Sequence, residues 1–175
     1  MDDGAFRAAL GRFASGVTVV STVADGIDHA MTASAFTSVS LRPPQVLLCA
    51  SRAARFHEAV NVSGRWAVSI LSDHGREASA WFAHSGRPLL GQFDHVPHHR
   101  SPSGLALVDA GLAWMECRTV AIHDGGDHSI LVGEVEWAAV AESDVDDPLL
   151  YYRAHYGTIV RSPESEKTLQ EGDGV

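Results

Sequence analysis

Few cysteines, few cations and no long apolar run set the first limits on this 175-residue chain. Cys49 and Cys117 are too few for a disulfide framework and are not spaced as metal ligands. Both stand inside apolar, strand-like runs, which predicts reduced core residues and a cytoplasmic protein. No apolar stretch approaches the roughly 18 residues that a membrane span requires. The start, "MDDGAFRAALGRF", is acidic, where a signal peptide is basic and then apolar. A soluble protein without a membrane partner is therefore expected. Lysine and arginine number 13 against 22 aspartates and glutamates, a formal charge of −9. That balance argues against nucleic acid, whose phosphates call for a basic surface. It leaves open a small anionic ligand, which needs only a few local cations or amides. There is also no G-x-G-x-x-G after the first strand, no G-x-S-x-G and no Walker motif. A parallel dinucleotide fold, a nucleophile elbow and a P-loop are set aside accordingly.

What is present describes one folded domain: 45% of residues are hydrophobic, enough for a sizeable core. Phe6, Leu10 and Phe13 recur at helical spacing and predict a short helix ended by Gly16. "VTVVSTV", "HAMTASAFTSVSL", "QVLLCA" and "RWAVSIL" read as strands, the first two joined by the turn "ADGID". "SRAARFHEAVNV" and "DHGREASAWFAHSG" have helical spacing, with Ala78, Trp81 and Phe82 on one side of the second. Periodicity disappears over residues 87–102, a long loop of the kind that is often functional. Two long strands then flank a Gly-Gly turn, and Leu131, Val135, Trp137 and Ala139 share a face through Gly133. A polar tail from Arg161 is expected to be disordered. About six strands with few helices, and no βαβ alternation, predict a mainly β fold, a closed or partly closed antiparallel barrel.

Three stretches carry candidate chemistry. In "MTASAFTSVS", period-two reading puts Thr32, Ser34, Ser38 and Ser40 on one face, with Phe36 among them. Such a face offers hydrogen-bonding hydroxyls to a heteroaromatic ligand, or is simply solvent-facing. In "CASRAARF", Ser51 follows a buried strand and opens a helix, with Arg52 and Arg55 close by. This makes either an anion site or a capped helix with solvated arginines. In "DGGDHSILVGEV" (residues 124–135), His128 sits between a turn and a strand, neither of which requires a histidine. It faces either water or a ligand. His95, His98 and His99 lie in the long loop without nearby cysteines or paired carboxylates, and read as surface residues.

Taken in order, "FRAALGRFASGVTVVST", "MTASAFTSVSLRPPQVLL", "FHEAV", "WAVSIL", "GGDHSILVGEV" and "PLLYYRAHYG" resemble the flavin reductase-like domain family. More narrowly, they resemble the short-chain NAD(P)H:flavin reductases of two-component flavin-dependent monooxygenases. The resemblance covers roughly residues 6–160. It implies a split β-barrel over residues 1–160, followed by the tail at 161–175, and a homodimer with flavin near the subunit interface. Carried over residue by residue, it implies that Thr32, Ala33 and Ser34 meet the flavin ring and that Ser38, Val39 and Ser40 continue the cradle. Ala50, Ser51, Arg52 and Arg55 would hold the phosphate end, and Phe82 would pack near the ligand. His128 would face the nicotinamide as the candidate catalytic residue, positioning it and tuning polarity, with Arg153 and Tyr156 contributing. No metal is implied. The chain departs from the pattern at Ala53 and Ala54, where relatives often carry Ser, Thr or Asn, and at Arg42, where an acidic residue is common.

The implied activity is hydride transfer from NADH to FMN or FAD, with reduced flavin diffusing to a partner monooxygenase. No basic cluster awaits a 2′-phosphate, which favours NADH over NADPH. Two alternatives remain: a flavoprotein that retains its flavin and acts on an organic substrate, and a non-catalytic flavin carrier.

Overall fold

In the computed structural model, residues 2–142 and 147–160 are described; the tail expected at 161–175 lies outside them. The N-terminal helix α1 (Asp3–Leu10) begins at Asp2, whose carboxylate accepts from Ala5 N, a standard N-cap. It ends at Gly11, five residues before the glycine expected to stop it, where the i→i−4 pattern gives way to tighter i→i−3 bonds from Arg12 N to Ala9 O and Phe13 N to Leu10 O. Phe13 therefore lies beyond the helix. The expected stripe faces solvent: Phe6, Leu10 and Phe13 are 54%, 58% and 78% exposed.

After the short β1 (Ser15–Gly16), the β-branched run forms β2 (Thr18–Ala24). Asp25 and Gly26, at φ 52° and 74°, turn it into β3 (Ile27–Ala33), the paired positive φ that suits a two-residue hairpin. The segment expected as one strand then breaks. β3 stops at Ala33, Ser34 and Ala35 intervene, and β4 (Phe36–Leu41) starts anew before β5 (Pro44–Ser51). Next come α2 (Arg55–Ser63), β6 (Arg65–Leu71), a 3-10 turn at Asp73–Gly75 and α3 (Arg76–Ala83). Ala78 and Phe82 are buried, with Trp81 packed against the same cluster, as the helical spacing predicts. The aperiodic stretch at 87–102 is not all loop: β7 (His98–Arg100) lies inside it and pairs with β8 (Ala106–Val108). The two long strands are β9 (Gly111–Gly125) and β10 (His128–Val140), and β11 (Leu150–Tyr152) and β12 (His155–Gly157) close the chain.

Seven strands form one antiparallel sheet in the order β3-β2-β6-β9-β10-β5-β4. Its two edges, β3 and β4, are consecutive in sequence and joined only by Ser34 and Ala35. Such a connection spans at most about 11 Å, so the sheet has to roll until its edges meet. They meet without a ladder between them, while Ala35 stays tied to its own side, its carbonyl accepting from Cys49 N of β5 at 3.0 Å. The result is a split barrel, open along that seam.

The barrel interior holds Trp66, Leu48, Val68 and Leu131, with Phe56 and Val60 of α2 packed onto the same cluster. A second cluster around Phe82, Phe93, Leu71 and Leu149 lies beneath α3 and the loop. Gly133 is where the two long strands pass Trp66: a Cβ there would meet Trp66 Cζ2 at 2.5 Å and Cys117 Cβ at 2.9 Å. On the expected face of β10, Leu131 and Val135 pack with the first cluster and Trp137 with a third around Leu105 and Leu107. Both cysteines are free; Cys49 is half-buried, and burial pushes the Cys117 thiol up to about 12.

Candidate functional site

The open seam of the barrel gathers most of the residues singled out above, though not on one continuous face. Thr32 lies next to the end of β3 on one sheet edge, while Ser38, Val39 and Ser40 lie on β4 at the opposite edge. A bulge between Ser38 and Ser40 further breaks the period-two pattern. Ser38 and Val39 are exposed, and Ser40 Oγ accepts from Arg42 N at 3.2 Å.

Two cavities flank the break at Ser34 and Ala35. The first, of about 230 Å³, lies between β3, the start of α2 and the end of α3, with Thr32, Arg55 and Phe82 in its wall. The second, of about 340 Å³, lies between α1 and the β11–β12 hairpin, with Ser34, Ala35 and Arg153 in its wall. Thr32 and Ser34 are two positions apart, roughly 7 Å at strand rise. One short piece of backbone therefore borders both openings. Ala33 between them is buried, and its carbonyl accepts from Thr18 Oγ1 at 2.8 Å, which fixes this backbone to β2.

The first cavity is cationic. Arg55 and Arg87 both line it, His29 joins them, and no carboxylate belongs to its wall among the described residues. Arg55 Nη2 donates to Arg87 O at 2.7 Å. Arg87 is 9% exposed and caps α3: its guanidinium donates to the carbonyls of Trp81, Phe82 and His84, and to Ala30 O on β3. A cation on the last carbonyls of a helix is favourably placed against its dipole. Burial, and secondarily the charge of Arg55, press the Arg87 pKa below its ordinary value. Burial and then Arg55 do the same to His29. Three wall residues keep a buried polar atom without a hydrogen-bond partner: His29 Nδ1, Arg87 Nε and Gln92 Oε1. Concentrated positive charge and unmet polar groups around one cavity fit an anionic, hydroxylated ligand.

His128 stands at a separate corner of the sheet, where β5 ends and β10 begins. It faces Ser51 across the β5–β10 ladder and follows the turn from β9. Its Nδ1 donates to Asp127 Oδ1 at 2.7 Å, which leaves Nε2 for a ligand. That hydrogen bond, with the charge of His128, holds the Asp127 carboxyl below the usual carboxylate range. Arg52 is committed here: it forms an exposed ion pair with Asp124, and its N–H donates to Asp127 O. Ser51 closes β5 and does not open a helix; α2 begins at Arg55, with Ala54 as its N-cap residue. Ala50 is fully buried in the barrel core and paired with Ser129 across the β5–β10 ladder, so it belongs to the fold and does not line the cavity.

Arg55 alone of the expected phosphate-holding side chains lines the cationic cavity. Arg153 and Ala154 adopt φ 50° and 63° at the tip of the β11–β12 hairpin, and Arg153 N donates to Gly11 O, docking the tip on α1. Tyr156 reaches Thr32 through one intermediary: Ser79 Oγ bonds Tyr156 Oη at 2.8 Å, and Ser79 O accepts from Thr32 Oγ1 at 2.6 Å. Ser79, His29, Arg87 and Gln92 were missed by the sequence reading. Arg87 and Gln92 lie in the aperiodic stretch flagged as functional, but His29 and Ser79 carry no local signal. The loop histidines go elsewhere: His98 Nδ1 bonds Val96 O, and His99 pairs with Asp109 and packs on Trp114.

The model of the flavin reductase-like domain matches residues 10–160. The chain is 34% identical over 168 residues to the flavin-dependent monooxygenase reductase subunit HsaB of Mycobacterium tuberculosis, covering 96% of this chain and 86% of that protein. It is 37% identical over 156 residues to the FMN reductase (NADH) SmoA of Agrobacterium fabrum, covering 89% and 86% respectively. Among solved structures, the NADH:FAD oxidoreductase SgcE6 of Streptomyces globisporus superposes with a TM-score of 0.86 at 32% identity, over 92% of this chain and 95% of that one. A split barrel with a cationic cavity beside its seam, matched over nearly its whole length, places this chain in the flavin reductase-like domain family.

Proposed function

We infer that the protein is an NADH-dependent flavin reductase, passing hydride to FMN or FAD and supplying the reduced flavin to a partner monooxygenase. The observation that carries this reading is the short backbone at residues 32–34, which borders a cationic cavity on one side and a mainly apolar one on the other. A phosphorylated flavin has a charged end and a flat ring, and its dimensions call for such a pair. The named activities of HsaB, SmoA and SgcE6 support the same assignment.

The flavin and the reduced nicotinamide supply the redox chemistry themselves, so the protein's task is to place them. Arg55, backed by Arg87, holds the phosphate end. Thr32, Ala33 and Ser34 present their main chain to the ring, and Phe82 walls the cavity at its base. Ser38, Val39 and Ser40 extend the cradle along the opposite edge. Ser51 and His128, adjacent across the ladder, position the nicotinamide, with His128 oriented by Asp127. Arg153 and Tyr156 close the site from the C-terminal hairpin. A second copy of the chain covers the exposed stripe of Phe6, Leu10 and Phe13, the last two lying beside Tyr151, making a homodimer. No helix among the described residues is long and apolar enough to cross a membrane, and the free cysteines support a cytoplasmic setting.

The test is aerobic NADH oxidation with and without added FMN, FAD or riboflavin. Oxidation that saturates with added flavin is the expected result. Tight flavin binding without NADH oxidation would overturn the reductase reading in favour of a carrier.

A further inference from the structure

The cationic cavity has one wall residue whose charge is not fixed. Arg55 and Arg87 are permanent cations, while His29 changes charge within reach of neutral pH. Several charged groups bear on it. From α2, Arg55 repels its protonated form and Glu58 favours it; from its own strand and the preceding turn, Asp28 and Asp25 favour it. From the loop after α3, Arg87 shares the wall. Its Nδ1 is buried without a hydrogen-bond partner. Desolvation and the neighbouring guanidinium keep the ligand-free ring neutral, below the ordinary value of 6.5.

A phosphoryl group entering the cavity reverses that local field. Its negative charge offsets Arg55 and Arg87, and the ring can then accept a proton from solvent and pair with the anion. Gln92 adds an acceptor to the same wall: its Nε2 is engaged by Asp28 O and Leu89 O, while Oε1 is unmatched. An acceptor beside donors suits a phosphate ester that also carries hydroxyls, as a ribityl phosphate does.

We propose that this cavity binds the phosphoryl group of the flavin together with one proton, and that His29 is the residue that takes the proton up. The inference rests on the reading of the cavity as the flavin phosphate site. His29 is then a specificity-determining residue: it strengthens binding of FMN and FAD over unphosphorylated riboflavin, and more so as pH falls.

The sign follows from linkage. A group whose pKa rises on binding takes up a proton, so affinity increases as pH falls between the bound and free values. The slope is at most about tenfold per pH unit for one proton. FMN itself gains a proton near pH 6, which opposes the effect; the FAD diphosphate lacks that ionisation and gives the cleaner readout.

The experiment measures dissociation constants of FAD, FMN, riboflavin, NADH and inorganic phosphate on the full chain from about pH 5.5 to 8. Calorimetry in two buffers of different protonation enthalpy counts the protons taken up. The expected result is FAD binding roughly three- to tenfold tighter at pH 6 than at pH 7.5, with proton uptake, and a flat profile for riboflavin. In His29→Gln the FAD profile flattens and proton uptake disappears, while riboflavin affinity is unchanged. The same slope in His29→Gln, or a slope shared by riboflavin, overturns the inference. Proton-linked binding confined to NADH would give the cavity to the other phosphorylated partner and overturn its assignment to flavin. NADH-driven reduction of riboflavin tests the oxidoreductase activity independently, because riboflavin does not use this cavity's charge.

Discussion

The cationic cavity and the His128 corner treat charge in opposite ways. At the corner, the charged groups are matched within the chain: Arg52 with Asp124, and His128 with Asp127, all substantially exposed. In the cavity, two guanidiniums and a histidine share a wall without a carboxylate. Arg87 is matched only by backbone carbonyls, and three polar atoms go unmatched. A matched, exposed cluster costs little in the free protein and binds by shape and by a single free nitrogen. An unmatched, buried one is costly until an anion arrives, so the part of the ligand that it receives carries the charge. The flavin phosphate and the neutral nicotinamide ring divide in the same way.

The largest effect is expected at Arg87. Arg87→Met removes the donor of four carbonyl contacts that tie the end of α3 to β3, and urea unfolding should show a loss of about 3–5 kcal/mol. A loss below about 1 kcal/mol would show that the guanidinium belongs to the ligand and not to the fold. Arg55→Met should weaken FMN binding roughly 10- to 100-fold, the worth of a charge-assisted hydrogen bond of about 1.5–3 kcal/mol. Riboflavin affinity should not change, and parallel losses for both flavins would place Arg55 against the ring. Acid should weaken the clamp between the loop and β9 at Glu116. Burial raises the pKa of this carboxyl, but the hydrogen bonds from Ser101 and Ser103 outweigh it and hold the pKa below the ordinary value. Its stabilisation is present above about pH 4.5 and is lost as pH falls through the depressed folded value. A Glu116→Gln variant should show a shallower loss of stability over that acid range in denaturant titrations. The smallest effect belongs to the corner: Arg52→Ala should change stability by less than about 1 kcal/mol, since exposed ion pairs are worth little.

The legibility of the molecule divides along similar lines. Patterns that repeat locally were readable: the β-branched run of β2, the Asp25-Gly26 turn, the buried side of α3, and the long β9–β10 hairpin. The break at Ser34 and Ala35 was not, because Ser, Thr and Ala alternate through it without interruption. The break is imposed by barrel closure, which no local period records. The early end of α1 is similar, since its apolar stripe continues to Phe13 while the chain turns at Gly11. For the site, the hydroxyl face and the arginines after β5 already pointed to Thr32, Ser34 and Arg55, which the fold brings to the cavities. The same run offered Arg52, and the family resemblance added Ala50; the fold commits these to an ion pair and to the core. His29 and Arg87 become visible only when β3 and the end of α3 are packed together, through contacts that span 57 positions in the sequence.

The most direct test of the account is a crossed kinetic comparison in one assay, with Arg55→Met and His128→Ala each titrated against FMN and NADH. The account predicts a clean crossing: Arg55→Met raises the KM for FMN and leaves that for NADH unchanged, while His128→Ala raises the KM for NADH roughly three- to tenfold and leaves that for FMN unchanged. Equal rises in both constants for either variant would contradict the division into a phosphate cavity and a nicotinamide corner.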